Sequence, residues 1–264
     1  MRDLKGKTAF VTGGASGFGL EFARAFLKEG MRVALADIEA PALAKARDSL
    51  QADDKRLRGF VCDTADRASL QRAADGAIEA FGRVHLVCNN AGVGGRPGSV
   101  DELPDRQWNW VLSVNLMGVV HGISVFLPHM RGHGEGGHFL NTASMAGMLG
   151  QPHDGPYSAS KAAVIGISES LYYELRGSNI GVSVLCPGFA KTGIALSERA
   201  GGPRLRALLK LLNVPAVVDV HGLFRWASDG DIALLDGDHG LLVINPSKGE
   251  MASLREYRRS GRDA

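Results

Sequence analysis

The sequence is poor in cysteine, in aromatic residues and in excess charge of either sign. Its three cysteines, Cys62, Cys88 and Cys186, are far apart and each lies in an apolar run. They suggest neither a disulfide framework nor the close ligand spacing of a zinc site, and no metal is expected. Thirty basic residues against 28 acidic ones leave a net +2, which gives no electrostatic case for nucleic acid or for an anionic membrane. A membrane span needs about 20 apolar residues in a row; the longest candidate, 118–127, is shorter and is interrupted by His121 and Gly122. The N-terminus, Met1-Arg-Asp-Leu-Lys-Gly-Lys, has no apolar stretch of the kind a secretion signal carries, so the expected location is cytoplasmic.

What is present is the mixture of a folded domain, 45% hydrophobic and 22% charged over 264 residues. Short apolar runs of β type at 8–11, 32–36, 57–62 and 84–88 alternate with helical patterns at 17–28, 41–50 and 68–81. A helix at 104–130, a strand at 138–142, a long helix at 157–175 and strands at 182–186 and 241–244 continue the series. Strands that are apolar throughout and separated by helix-length segments imply a parallel sheet covered on both faces. No repeat and no linker divides the chain, so one doubly wound α/β domain over 1–264 is expected. The segment 193–214, rich in Leu and Arg, reads either as a helical lid over a ligand or as an ordinary surface helix.

A nucleotide site is suggested where the first strand meets the first helix, at Thr12-Gly-Gly-Ala-Ser-Gly-Phe-Gly19. Gly13, Gly17 and Gly19 would let the backbone approach a pyrophosphate, with Ser16 and Phe18 between them and helix N–H groups as donors. The second strand ends at Asp37, followed by Ile38. A carboxylate there would bind the ribose hydroxyls of NAD and repel the 2′-phosphate of NADP; the plainer reading is a turn or helix cap. Asp63 and Thr64 after the third strand, and Asn89-Asn90-Ala91-Gly92 after the fourth, fall at strand ends that would border the same crevice.

Tyr157 and Lys161 stand four apart at the start of a helix, so their side chains share a face about 6 Å apart along the axis. A phenol titrates near 10, too high for an efficient base at neutral pH, and an adjacent ammonium would favour the phenolate. Ser144, just past the preceding strand, could orient a substrate oxygen beside that phenol. The Tyr-x-x-x-Lys spacing alone is a chance pattern; its combination with Ser144 and the glycine turn gives it meaning.

On these residues the sequence resembles the short-chain dehydrogenase/reductase family. The resemblance runs from 4 to 192 through the glycine turn, Asp37, Asp63, Asn89–Gly92, Asn115, Ser144, Tyr157-Ser-Ala-Ser-Lys161 and Pro187-Gly-Phe-Ala190-Lys-Thr192. It implies a Rossmann-like, mostly parallel sheet of seven strands with helices on both faces, in a homotetramer or homodimer. It also implies that Tyr157 is the general acid/base and that Ser144 binds the reacting oxygen. Lys161 would hold the nicotinamide ribose and lower the Tyr157 pKa, Asn115 would position a water in a proton relay, and Pro187, Ala190 and Thr192 would hold the nicotinamide end of NAD. The tail departs from the family pattern, ending in 241–247 and a basic run at 251–262. The helix 157–175, apolar on more than one face, is the better candidate for subunit contact.

Met145, Met148, Leu149, Phe189 and 205–212 would line an apolar pocket, favouring a hydrophobic secondary alcohol or its ketone. His153 is either a substrate contact or an exposed loop residue. The stretches 137–149 and 157–171 resemble bacterial dehydrogenases that oxidise benzylic alcohols of lignin-derived aryl ethers. Arg199, Arg204, Arg206 and Lys210 leave open an anionic substrate such as an acyl thioester of CoA. Two other classes stay in view: a nucleotide-sensing protein without catalysis, which would be expected to lack Ser144, Tyr157 or Lys161, and a sugar-nucleotide epimerase, which would be longer.

Overall fold

Strands that are apolar on both faces need cover on both, and the chain supplies it. The computed structural model describes residues 4–187 together with the strands at 233–236 and 241–244. β1 (Thr8–Thr12) is buried at every position, and β2 (Arg32–Asp37) at its four middle ones. With β3 (Leu57–Val61), β4 (Leu86–Asn89), β5 (Gly137–Thr142) and β6 (Ile180–Leu185) they form a six-stranded parallel sheet in the order β3-β2-β1-β4-β5-β6. The order reverses between β1 and β4, the position at which open parallel sheets bind ligands at their strands' carboxyl ends.

Alternate residues of one strand serve opposite layers. Ala9 and Val11 of β1, with Val33 and Leu35 of β2, pack on Phe26 of α1 (Gly17–Lys28) and Leu43 of α2 (Ala40–Leu50). Phe10, Ala34 and Ala36 face the other way, onto Leu70 and Phe81 of α3 (Arg67–Phe81) and Phe126 of the helix after β4. The expected helix at 104–130 is three pieces: α4 (Asp105–Leu112), a π-helical turn at Ser113–Met117, and α5 (Gly118–His133). The whole run, Asp105–His133, is 29 residues and apolar enough to cross a membrane by length and composition, well beyond the 118–127 stretch noticed in the sequence. Its Val111, Val119, Phe126 and Met130 are buried among the core side chains. After β5 come a four-residue α6 (Met145–Met148) and the long α7 (Gly155–Glu174).

The seventh strand of the expected sheet is not among the six. Its candidate, β8 (Leu241–Ile244), pairs antiparallel with β7 (Ala233–Asp236), a strand that sequence reading did not mark. The segment 193–214, expected as a lid, lies outside the described residues.

A buried polar layer joins the strand ends to α7. Asn89 Nδ2 donates to Asn141 Oδ1 at 2.8 Å, Asn141 Nδ2 to Ser168 Oγ at 2.9 Å, and Ser168 Oγ to Val164 O at 2.7 Å. α5 seats on this layer through Gly122, where an added Cβ would fall 2.0 Å from Asn89 Oδ1. Asn89 cannot yield without breaking its bond to Asn141. Gly122→Ala is therefore expected to destabilise the fold by about 1–3 kcal/mol, read as a lowered midpoint in urea; an unchanged midpoint would show that α5 is not seated this way.

Candidate active site

The turn after β1 is closed by contacts that leave no room for side chains. Gly13 sits at φ +62°, and a Cβ on it would lie 2.9 Å from Ala91 Cα. On Gly19 a Cβ would fall 2.2 Å from Gly13 O and 2.8 Å from Asn90 Nδ2. Gly14 N donates to Ala36 O at 3.1 Å, tying the turn to β2. α1 starts at Gly17 with Ser16 as its cap, yet the Ser16 side chain makes no cap bond and the first turn holds no acidic residue. The helix N-terminus is thus left to accept an anion through its N–H groups and dipole. The Phe18 ring stacks along the helix on Phe22, 6.2 Å between centroids, which leaves its backbone as the part facing a ligand.

Asp37 stands at the end of β2 with its carboxylate fixed from two sides. Oδ2 accepts from Ala15 N at 3.0 Å and Oδ1 from Glu39 N at 3.1 Å. Ile38 beside it is 44% exposed, an apolar ledge at the same strand end. Asp63 Oδ1 accepts from Ala65 N at 2.9 Å in a local turn, and Thr64 is buried against Gly118 of α5. Asn90 spends its side chain on protein partners: Nδ2 donates to Thr12 O at 3.0 Å, and Oδ1 accepts from Thr142 Oγ1 at 3.3 Å. It shapes the cradle from behind. Thr12 Oγ1 completes the joint, accepting from Asn90 N at 2.9 Å and Ala91 N at 3.0 Å.

At the other end of the crevice, α7 brings Tyr157 and Lys161 to one face, with Lys161 Nζ 5.6 Å from the phenol ring centroid. Lys161 is only 2% exposed, and its ammonium donates to Thr142 O at 2.7 Å. Gly92 faces this group: a Cβ there would stand 3.4 Å from Lys161 Nζ and 3.3 Å from Asn115 Oδ1. Asn115, fully buried in the π-helical turn, donates from Nδ2 to Val93 O at 2.9 Å and Ser160 Oγ at 3.1 Å, and accepts from Val93 N at 2.7 Å. Its amide is committed to holding the 92–93 loop against α7. Ser144 caps α6, accepting from Ala146 N at 3.1 Å, and its hydroxyl is near enough to the Tyr157 phenol to influence its titration. Pro187 O accepts from Met145 N at 2.9 Å, placing the end of β6 beside Ser144.

The electrostatics correct one expectation. Burial is the largest influence on Tyr157 and pushes its pKa up; the Ser144 hydroxyl pulls it down, and the charge of Asp154 pushes it up again. Lys161 is not among the influences on it, and desolvation lowers the pKa of Lys161 itself to about 8. Cys186, near Lys161, is held as a thiol by burial, with its pKa pushed up to about 11. By itself the protein therefore keeps a protonated phenol next to a weakened ammonium.

Asp37, Ser144, Asn115, Tyr157, Lys161 and the glycine turn all gather at the carboxyl ends of the strands. His153 is exposed, with its carbonyl accepting from Gly98 N at 3.0 Å, as a loop residue would be. Met148 and Leu149 are 46% and 54% exposed at the mouth. Phe189, Ala190, Thr192 and the cations from Arg199 to Lys210 lie outside the described residues. Sequence reading missed Thr142, whose role is played by a carbonyl that no residue type announces, and Ser160. Among the described residues no group of three or more His, Cys, Asp or Glu could hold a metal.

A glycine cradle on a helix N-terminus, a carboxylate at the next strand end and a phenol–ammonium–hydroxyl group across the crevice define a dinucleotide-dependent oxidoreductase. The chain belongs to the short chain dehydrogenase family, whose sequence model matches residues 7–201. A short chain dehydrogenase/reductase from Burkholderia phymatum, solved in complex with NAD, is 47% identical with a TM-score of 0.73, over 78% of this chain and 74% of that one. The C alpha-dehydrogenase of Sphingobium sp. strain SYK-6 is 34% identical over 226 residues, 85% of this chain and 74% of its own length. The D-threitol dehydrogenase of Mycolicibacterium smegmatis is 37% identical over 210 residues, 79% of each chain.

The cradle makes one variant decisive. In Gly19→Ala the new methyl meets the backbone carbonyl of Gly13, so the turn must open. NADH binding, followed by fluorescence titration, is expected to weaken by about tenfold or more; unaltered affinity would mean that the dinucleotide does not use this turn.

Proposed function

We propose that the chain is an NAD-dependent dehydrogenase that interconverts a hydrophobic secondary alcohol, aromatic carbinols included, and its ketone. The observation that carries this reading is the meeting of Ser144, Tyr157 and Lys161 across the crevice from a cradle bordered by Asp37. The carboxylate of Asp37 favours the unphosphorylated coenzyme, because a 2′-phosphate would be brought against a like charge. The substrate class is supported by the exposed apolar mouth at Met148 and Leu149, by the resemblance to benzylic-alcohol dehydrogenases, and by the likeness to the C alpha-dehydrogenase.

When bound, NAD⁺ supplies the hydride acceptor and a positive charge. The chain's own residues do the rest. Ser144 Oγ, near the phenol, holds the substrate oxygen beside Tyr157. Tyr157 Oη takes the hydroxyl proton on oxidation and returns it on reduction. Among the described residues Lys161 has one donor fixed on Thr142 O, and its other N–H groups would serve a ribose hydroxyl and the phenolate. Asn115 keeps Val93 and Ser160 in place so that the base of α7 cannot shift.

Burial raises the Tyr157 pKa, so the reactive phenolate grows as pH rises. Alcohol oxidation with NAD⁺ is expected to increase steadily into the alkaline range, and NADP⁺ is expected to support it about tenfold less well or worse. Tyr157→Phe should lower kcat by about a hundredfold or more and still bind NADH. NADH formation over a panel of benzylic, aliphatic and hydroxyacyl alcohols checks all three; a flat pH profile or an active Tyr157→Phe variant contradicts the reading.

We also propose assembly as a homodimer or homotetramer through α7. Val164 and Leu171 on α7 are buried in the subunit, while Tyr172 and Tyr173 remain 37% and 57% exposed and touch each other edge to face. A partner's helix would cover them. Sedimentation should give a dimer or tetramer that Tyr173→Glu weakens; a monomer at micromolar concentration rules this out.

A further inference from the structure

The amino-terminal edge of the sheet, opposite the catalytic crevice, carries three histidines that no step of the reaction uses. His129 and His133 stand one turn apart at the end of α5, and His85 just precedes β4. Their rings form a row, with centroids 5.0 Å apart between His129 and His133 and 5.2 Å apart between His133 and His85.

Each ring meets a backbone N–H. Val84 N donates to His129 Nε2 at 3.0 Å, Glu135 N to His133 Nδ1 at 3.2 Å, and Thr8 N to His85 Nδ1 at 3.2 Å. A ring nitrogen accepts only when it carries no proton. The opposite nitrogens then act as donors: His133 Nε2 to Val84 O at 3.1 Å and His85 Nε2 to Glu135 Oε2 at 2.9 Å. These contacts define neutral tautomers, with the proton on Nε2 in His85 and His133 and on Nδ1 in His129. Val84 is fully buried and lies ahead of the β4 ladder, so one histidine meets its N–H and the next meets its carbonyl.

A second proton on any of these rings would set N–H against N–H and strand a backbone donor. The charges around the row are mostly positive. Lys7 and Arg83 both reach Glu135, and Lys5 and Arg32 line the same hollow as His85. Arg131 lies in the last turn of α5, and His138 of β5 directs its ring to Ser183 Oγ at 2.9 Å. Burial holds the His85 pKa below the ordinary 6.5 against the pull of its Glu135 bond, with Lys7 and His133 adding to the lowering. Burial, then the charges of His133 and His85, lowers that of His129 as well.

We propose that His85, His129 and His133 form an acid-released lock, which while neutral fastens the end of α5 to the starts of β1 and β4 and lets go as the rings take up protons. The lock is independent of the alcohol–ketone reading. The strand it anchors, β4, carries Asn89 at its far end into the polar layer under the crevice. Histidines in the unfolded chain titrate near 6.5 and the locked ones lower, so the stabilisation is complete above that pH and is lost as pH falls below it. Each ring held wholly neutral raises the unfolding constant by about tenfold between pH 7.5 and 5.5.

The test compares urea unfolding of the full chain at pH 7.5 and 5.5 in the wild type and in His129→Gln/His133→Gln. A glutamine amide can accept from a backbone N–H or donate to a carbonyl at either pH. The unfolding constant of the wild type is expected to rise on acidification by about tenfold more than that of the double variant; an equal rise in both overturns the proposal. Proton–nitrogen correlation spectra of the imidazoles in the wild type give a second measurement, one that needs no variant and decides alone if the double variant does not fold. They should show His85 and His133 protonated on Nε2 and His129 on Nδ1 at pH 7.5, with His85 and His129 titrating below 6.5. Other tautomers, or ordinary titration of both rings, overturn the lock.

Discussion

A lysine ammonium almost wholly out of water, held on the carbonyl of Thr142, is the constraint that orders the rest of the crevice. Burying a charged amine is costly unless its donors are met, and Lys161 meets one of them on Thr142 O at 2.7 Å. The neighbourhood is built to permit that contact. Gly92 has no side chain where one would press on Asn115 Oδ1, Asn115 is locked by three hydrogen bonds, and Cys186 stays an uncharged thiol. Desolvation lowers the Lys161 pKa and raises that of Tyr157, so the free protein holds a site poised toward the protonated phenol.

The same carbonyl links the two halves of the site. Thr142 gives its O to Lys161 and its hydroxyl to Asn90, and Asn90 reaches Thr12 O at the start of the glycine turn. The connected chain therefore passes from α7 through the ends of β5, β4 and β1. These strands are neighbours in the sheet, and their parallel direction puts all three ends on one edge. The cradle and the phenol are registered to each other by this short series of bonds and not by the surface loops. The Asn89–Asn141–Ser168 layer repeats the device one pleat deeper, and the bare face of Gly122 lets α5 close over it.

Much of this was readable from residue order. Continuous apolar strands and intervening helices marked the parallel sheet, and α1 falls on the residues the pattern predicted, because both signals are local. The gathering of Asp37, Ser144, Tyr157 and Lys161 at one edge followed from placing each at a strand end or on a helix start. What escaped was whatever depends on backbone groups or on partners distant in sequence. The π-helical turn inside the 105–133 run has no distinctive side chain pattern, though it is what buries Asn115. Thr142 acts through its carbonyl. The direction of the Tyr157 pKa could not be had from the Tyr–Lys spacing, since burial, a tertiary property, is the largest influence on it.

The central claim is that the protein alone raises the Tyr157 pKa and that the cationic coenzyme is needed to bring it down. Ultraviolet titration of tyrosinate, as the difference between the wild type and Tyr157→Phe, isolates this phenol from the other tyrosines. The account predicts a midpoint above the ordinary tyrosine value in the free protein, and about one unit lower or more with NAD⁺ bound. A midpoint that is the same with and without NAD⁺, or one already depressed in the free protein, would contradict it.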